Sequence, residues 1–313
     1  MKYYRLIIEP TSPLGTALVS GTLWGHLAWA VRYLQGEEAL KEWLKKQENS
    51  PWLVSSAMPE GMLPRPLLRP MARPKYKPTI EELQQSKKTK KISHIQENVF
   101  LSLRDRLNET SLNEALKANL QQSSDKKDKE TSKRSQIAKN RIDRLSGRTP
   151  DSGGLYFIDA EFYHKANLQV FIGMQEDEKE LLKKLLDYVS ACGFGADASI
   201  GHGAFKYQLL EETALFAKAG TRCMSLSHGV ITQEMTEPFY KLHPHFGKLG
   251  GHFVLGAYSP FKYPILMAKP GATFNATEQG AFCGKILAQV HHELQEIRHY
   301  AVHLPIMFTE VPS

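Results

Sequence analysis

The chain has few cysteines, no long apolar run and no acidic cluster that suggests a metal site. Its 313 residues include three cysteines, Cys192, Cys223 and Cys283, far apart and in no CxxC pair. That spacing excludes a disulfide framework and predicts buried, inert thiols in a reducing cytoplasm. No stretch approaches the roughly 20 apolar residues of a membrane span. The N-terminus, MKYYRLIIEP, has neither an apolar h-region nor a small-residue cleavage site, so it reads as a first strand and not as a secretory signal. No acidic cluster suggests a two-metal nuclease. His243 with His245, and His291 with His292, are not spaced to share a helix face, and no cysteine or acidic pair completes a zinc pattern.

What the chain does have is an uneven charge. The net charge is +7. Between Arg65 and Arg148 there are 21 Lys and Arg against 10 Asp and Glu, a net +11, which leaves −4 on the remainder. A basic middle predicts a polyanion partner; the plainer alternative is a solvated insertion that its charge keeps soluble.

Apolar periodicity organises the rest. Residues 2–9 alternate as a strand. From Ser20 onward, Leu23, Leu27, Ala30, Val31 and Leu34 recur at three and four, an amphipathic helix with Ser20 as N-cap and Gly36 as its stop. A short helix over 37–44 and a strand over 52–56 precede the extended, proline-punctuated MPEGMLPRPLLRP. From 74 to about 139, polar runs such as KKTKK predict a mobile insertion with some helix or hairpin near 99–120. Strands at 153–163 and 167–173, joined by a hairpin turn, are followed by the helix EDEKELLKKLLDYVSA and the strand AFKYQLLEE. This order approximates a ferredoxin-like βαββαβ unit. Beyond residue 210 a second α+β unit of low helix content is expected, with strands at 223–228, 251–258, 265–268 and 303–308.

Between the last helix and strand of the first unit lies GFGADASIGHGAF, residues 193–205. It fails the Walker pattern, because Gly201 is followed by His202 and not by Lys. Gly193, Gly195 and Ala198 match a dinucleotide fingerprint, but this loop follows a helix and opens a strand, the reverse of what that motif needs. What remains is backbone N–H able to form an anion-binding concavity, with the Ser199 hydroxyl and His202 beside it. The alternative is a tight helix-to-strand connection.

This loop resembles the glycine-rich loop of RAMP proteins, the ferredoxin-like RNA-binding subunits of CRISPR effectors. KNRIDRLSGRTPDSGGLYF, residues 139–157, resembles their segment leading from the insertion into a core strand. The opening PTSPLGTALVSGTLWGHLAWAVRYLQGEEAL, the proline-rich segment, FYKLHPHFGKLGG and HYAVHLPIMF are similar to the Csm-type subunit that caps the foot of type III complexes. The resemblance implies an α+β protein of two ferredoxin-like (RRM-like) domains. These would span 1–210, with the basic insertion at about 74–139, and 211–313, the second degenerate. It implies no cofactor and no membrane. It also implies binding of the guide RNA 5′ handle and contacts with the large polymerase-cyclase subunit and a backbone RAMP subunit.

Carried over by position, the RNA contacts would be Ser20 and Gly21 at the first helix N-terminus, Arg65 and Arg69 in the proline-rich strand, and Lys139, Asn140, Arg141 and Arg144 at the insertion base. Gly195, Ser199, Gly201, His202 and Gly203 would form the loop cradle. Phe194, Tyr240 and His202 are candidates for stacking on bases. Gly21 stands where the family's helix carries an acidic residue, and Ala196 where its loop is often basic. Relatives in the superfamily cleave RNA with a histidine base, so His26 raises an alternative, a metal-independent endoribonuclease processing precursor RNA. No His, Tyr and Lys set is brought together by spacing, and packing or stacking is the simpler role for His26. A third reading is a scaffold whose basic insertion meets only acidic protein.

Overall fold

The computed structural model describes residues 1–70, 79–123, 132–256, 258–275 and 282–312. Strand β1 (Lys2–Pro10) forms because Tyr4, Leu6 and Ile8 alternate with less buried neighbours and place three side chains on one face. It leads into α1 (Ser20–Gln35) and α2 (Glu37–Asn49), separated by Gly36 at φ +95°. The short strands β2 (Leu53–Val54), β3 (Met58–Pro59) and β4 (Met62–Pro64) follow. Then come α3 (Ile80–Lys91), β5 (His94–Gln96), α4 (Glu97–Leu103), α5 (Glu109–Ser123) and β6 (Ser132–Asn140). The first part closes with β7 (Leu155–Tyr163), β8 (Leu168–Met174), α6 (Lys179–Cys192) and β9 (Phe205–Glu211).

The main sheet has the order β2-β8-β1-β9, all neighbours antiparallel, with β3 also pairing β8. Omitting the segment between β2 and β8, the chain order is βαββαβ. Tyr4, Leu6 and Ile8 face the same side as Ile172, Val170 and Leu168, their register partners, and pack with the buried side chains of α1 and α6. The opposite side carries Tyr3, Arg5 and Phe171. Tyr3 stacks on Phe216, Arg5 lies over the Phe171 ring, and Arg5 pairs with Glu97 of α4 at 2.8 Å and with Glu212 at 2.6 Å. That face is therefore covered over β1 and β8, while Lys206, Gln208 and Leu210 of β9, on the same side, are exposed.

Within the insertion, α4 and α5 are docked on the core, while α3 and β6 are mostly exposed. Phe100, Leu107 and Leu112 are fully buried in the main core, which ion pairs from α4 and α5 reinforce. The expected start at 74 and the polar run at 124–131 lie outside the described residues. β7 does not form the expected hairpin with β8; it pairs along its whole length with β6 in a separate two-stranded ribbon. β8 pairs instead with β1, β2 and β3, where its seven buried residues are shielded on both faces.

The second half holds β10 (Arg222–Ser225), β11 (Leu242–His245), β12 (Ile265–Ala268), β13 (Thr273–Asn275), β14 (Cys283–Leu287), β15 (His299–His303) and β16 (Pro305–Phe308). Among its described residues there is no α-helix, so it has no crossover helices of a βαββαβ unit. Residues 251–255, expected as part of a strand, form a 3₁₀ turn that Gly251 enters at φ +58°. The halves share one core: Tyr300, Val302, Leu304, Ile306 and Phe308 pack with residues of α1 and β1, and the Tyr300 hydroxyl accepts the Val54 N–H at 2.8 Å. Cys223 and Cys283 are buried; Cys192, at the last turn of α6, is exposed, contrary to expectation. Among the described residues no helix is long and apolar enough to cross a membrane.

Candidate nucleic-acid interface

The glycine turn joins α6 to β9 and folds back on the loop between β1 and α1. Its base is a backbone crossing: the Phe194 N–H donates to the Gly203 carbonyl at 2.8 Å, and the Gly203 N–H to the Pro13 carbonyl at 2.9 Å. A methyl group at Gly203 would collide with the Phe194 carbonyl, and Gly203 has φ +72°, so only glycine fits. Gly195 is pressed against Thr16. Gly201, at φ +92°, faces open space. Gly193 and Gly203 therefore serve the connection itself, and Gly201 is the one whose surroundings are free.

Most donors of the turn are used within the protein. Thr16 Oγ1 accepts the Ala196 N–H at 2.9 Å, and Ser12 Oγ accepts the Ala204 N–H at 2.8 Å. His26 Nε2 accepts the Gly195 N–H at 3.1 Å, and the ring packs on Phe194. Burial pushes the His26 pKa down to about 4, which keeps the accepting nitrogen unprotonated at neutral pH. The N–H groups of Asp197, Ala198 and Ser199 have no partner among the described residues, and Ser199 is exposed. Three successive free N–H groups in a turn entered through a left-handed residue, Asp197 at φ 62°, form a shallow anion-facing surface.

The β6–β7 hairpin meets this turn. Lys139 Nζ lies 2.6 Å from Asp197 Oδ2 in a half-buried ion pair, and Leu14 exchanges two backbone hydrogen bonds of 2.9 Å with Glu161. Lys139 and Asn140 close β6, and Arg141 and Arg144 lie in the tip loop; all four belong to the free end of the hairpin and not to the insertion base. Asp143 shapes that loop. Its carboxylate accepts the N–H groups of Leu145 at 2.7 Å and Ser146 at 3.1 Å, which hold its pKa below the usual range. Arg141, Arg144 and Arg148 are exposed, and among the described residues none forms an ion pair. Leu145 at the apex is 100% exposed.

Several expected contacts are placed elsewhere. Ser20 is not the N-cap: Val19 holds that position, and Ser20 is the first helical residue, fully buried. Its N–H goes to Ser56 Oγ at 3.1 Å and its hydroxyl bonds the His228 backbone, so its donors are used internally. Gly21 lets α1 approach β15; a methyl there would stand 2.8 Å from the Tyr300 carbonyl oxygen. Arg65 is held by the Thr89 carbonyl at 2.6 Å and Glu109 at 2.7 Å, with its side chain 11% exposed. Arg69 is exposed but pairs with Glu237 in the second half. Phe194 is fully buried and cannot stack on a base. Tyr240 is exposed beside β11. His202 is half-buried, with Nδ1 lacking a partner. The structure thus joins the hairpin that carries Lys139, Asn140, Arg141 and Arg144 to the turn that carries Ser199, Gly201 and His202 through the Lys139–Asp197 pair. It adds Arg148, whose place in the same basic tip segment was its only sequence signal. Among the described residues no three His, Cys, Asp or Glu side chains converge as metal ligands.

An antiparallel sheet backed by two helices, with a basic two-stranded arm lying on a glycine turn, defines an α+β protein of βαββαβ core order. The chain belongs to the RAMP superfamily, whose family model matches residues 20–206. Its fold is similar to a chain of the crystal structure of a Csm1–Csm4 cassette in complex with AMPPNP, at 14% identity and TM-score 0.62 over 100% of both chains. It is also similar to a chain of a Csm3–Csm4 subcomplex of the type III-A CRISPR–Cas interference complex, at 16% identity and TM-score 0.60 over 97% of this chain and 99% of that one. Csm4 is common to both structures. No curated protein matches the chain in sequence.

Proposed function

We propose that this protein is a non-catalytic RNA-binding subunit of a type III CRISPR ribonucleoprotein. It caps the foot of the complex and holds the 5′ handle of the guide RNA, with the large polymerase-cyclase subunit and a backbone RAMP subunit as protein partners. In this reading the βαββαβ core is a ferredoxin-like RAMP domain. The observation that carries the reading is the exposed, unpaired arginine tip of the β6–β7 hairpin, set beside the free N–H groups of the glycine turn. Arg141, Arg144 and Arg148 supply charge to the phosphates, while Ser199 and the turn backbone supply directional donors. Over β1 and β8 the sheet face opposite the helices is filled by Tyr3, Phe216 and the Arg5 ion pairs, which favours the arm and the turn for RNA contact. Membership in the RAMP superfamily and the likeness in fold to chains of Csm complexes support the same reading.

The endoribonuclease alternative needs a base that reaches a 2′-hydroxyl. The accepting nitrogen of His26 is already occupied by the Gly195 N–H, which favours a structural role. Binding of a labelled handle RNA against salt tests the proposal. Log affinity should fall with log salt at about −0.7 per phosphate neutralised; a flat response removes RNA from the account. Cleavage of repeat RNA without metal, lost in His26→Ala, would favour the enzyme.

A further inference from the structure

Four histidines of the second half, distant in sequence, form a row. The His228 and His243 ring centroids are 4.7 Å apart, those of His243 and His245 6.2 Å, and those of His245 and His299 4.8 Å. The fold builds this row from three places. β11 turns His243 and His245 to one side, because residues two apart on a strand share a face. β15 supplies His299, and the segment after β10 supplies His228, whose Nδ1 is 2.8 Å from Ser56 Oγ.

The charges around the row have one sign. Lys269 acts on His228 and His243, Lys262 acts on His245 and His299, and His303 adds to the effect on His228. Among the described residues no carboxylate pairs with either lysine or any of these imidazoles. The other groups facing the row are neutral: Ser20 and Ser56 from the first half, and the first turn of α1. At its inner end His299 is 4% exposed and its Nε2 has no hydrogen-bond partner; a methyl on Gly21, in that first turn, would stand 3.3 Å from it. Its outer members His243 and His245 are half-exposed. The row has no metal-binding convergence. Lys262 Nζ donates to the Arg298 carbonyl at 2.9 Å, and burial pushes its pKa down to about 8; among the described residues no carboxylate answers the row.

We propose that the row His228–His243–His245–His299, flanked by Lys262 and Lys269, is a second seat for the RNA phosphodiester backbone, bound with uptake of protons. The inference rests on the RNA-binding reading above. Empty, the rings stay neutral, since burial and the neighbouring cations both push their pKa values down. A phosphate against His243 and His245 reverses that balance. Each protonated ring then gives a charge-assisted hydrogen bond, so binding strengthens as pH falls.

Fluorescence anisotropy of the full chain with a labelled single-stranded RNA, from pH 8 to pH 6 at fixed ionic strength, tests this. Wild-type affinity should rise about tenfold across that range, the worth of one added charge-assisted hydrogen bond. His243→Gln/His245→Gln should match wild type at pH 8 and lose the rise; these side chains are partly exposed, and a melting curve checks the fold. Arg141→Ala/Arg144→Ala should bind more weakly at every pH and keep the rise. Imidazole resonances of His243 and His245 should move on RNA addition. A rise of the same size in the histidine variant, or pH-independent wild-type binding, overturns this inference alone. Absence of wild-type binding at every pH overturns it together with the reading it rests on.

Discussion

Two alanine substitutions in one loop separate what the glycine turn does for the fold from what it offers a ligand. Gly201 and Gly203 both have φ in the left-handed region, at +92° and +72°. An L-residue there costs about 1–2 kcal/mol. For Gly201→Ala that is the whole cost, because nothing lies within 4 Å of the new methyl. For Gly203→Ala the methyl meets the Phe194 backbone, and the two segments must part. The hydrogen bonds from Phe194 N–H to Gly203 O and from Gly203 N–H to Pro13 O are then lost, at about 1 kcal/mol each. The total is about 3–4 kcal/mol. At about 2–3 °C per kcal/mol, thermal unfolding followed by circular dichroism should fall about 6–12 °C for Gly203→Ala and about 2–6 °C for Gly201→Ala. Gly201→Ala should instead weaken RNA binding with the fold intact. Equal melting losses, or a larger loss at Gly201, would refute the assignment of Gly203 to the crossing.

Other predictions follow from the same geometry. Arg5→Met leaves Glu97 and Glu212 facing each other without their cation; with those side chains 18% and 12% exposed, the loss in urea unfolding should be about 3–4 kcal/mol. A loss below about 1 kcal/mol would mean that α4 is not anchored there. Arg141→Ala/Arg144→Ala should make the salt slope of RNA binding shallower by about 1.4, if each arginine neutralises one phosphate at about 0.7. An unchanged slope would take those arginines out of the interface. His26 has its pKa depressed to about 4 from an ordinary 6.5. Between these values the unfolded chain holds the extra proton, so the stability from the neutral ring is full above about pH 6.5 and is lost as pH falls toward 4. His26→Gln should flatten the pH dependence of the melting temperature in that window; an unaltered profile would contradict the assignment.

The main sheet and its two helices were legible because their apolar periods are clean. Tyr4, Leu6 and Ile8 repeat at two, and Leu182, Leu185, Leu186 and Val189 at helical spacing. The glycine turn stood out by composition, and RAMP-like motifs covered most of the chain outside the insertion. What failed depended on distant partners. The insertion looked too polar to dock, yet Phe100, Leu107 and Leu112 anchor it, and Arg65 reaches Thr89 and Glu109 across 24 and 44 residues. Ser20 fits the local rule for an N-cap, but a serine from a neighbouring segment takes its N–H and β15 packs over the next residue. The free end of the hairpin reads as an insertion base because nothing local says that β7 pairs backward with β6. The histidine row was not legible: no strand is predicted at 242–245, where β11 turns His243 and His245 to one side, and His228 and His299 join them only through the fold.

The central claim is that single-stranded RNA lies on the hairpin tip and the exposed glycine turn. Crosslinking the full chain to an RNA carrying 4-thiouridine, then locating the modified peptides by mass spectrometry, tests it most directly. Adducts should concentrate in residues 139–149 and 196–203 and diminish in Arg141→Ala/Arg144→Ala. Adducts spread over the surface, or confined to regions outside these segments and the histidine row, would contradict it.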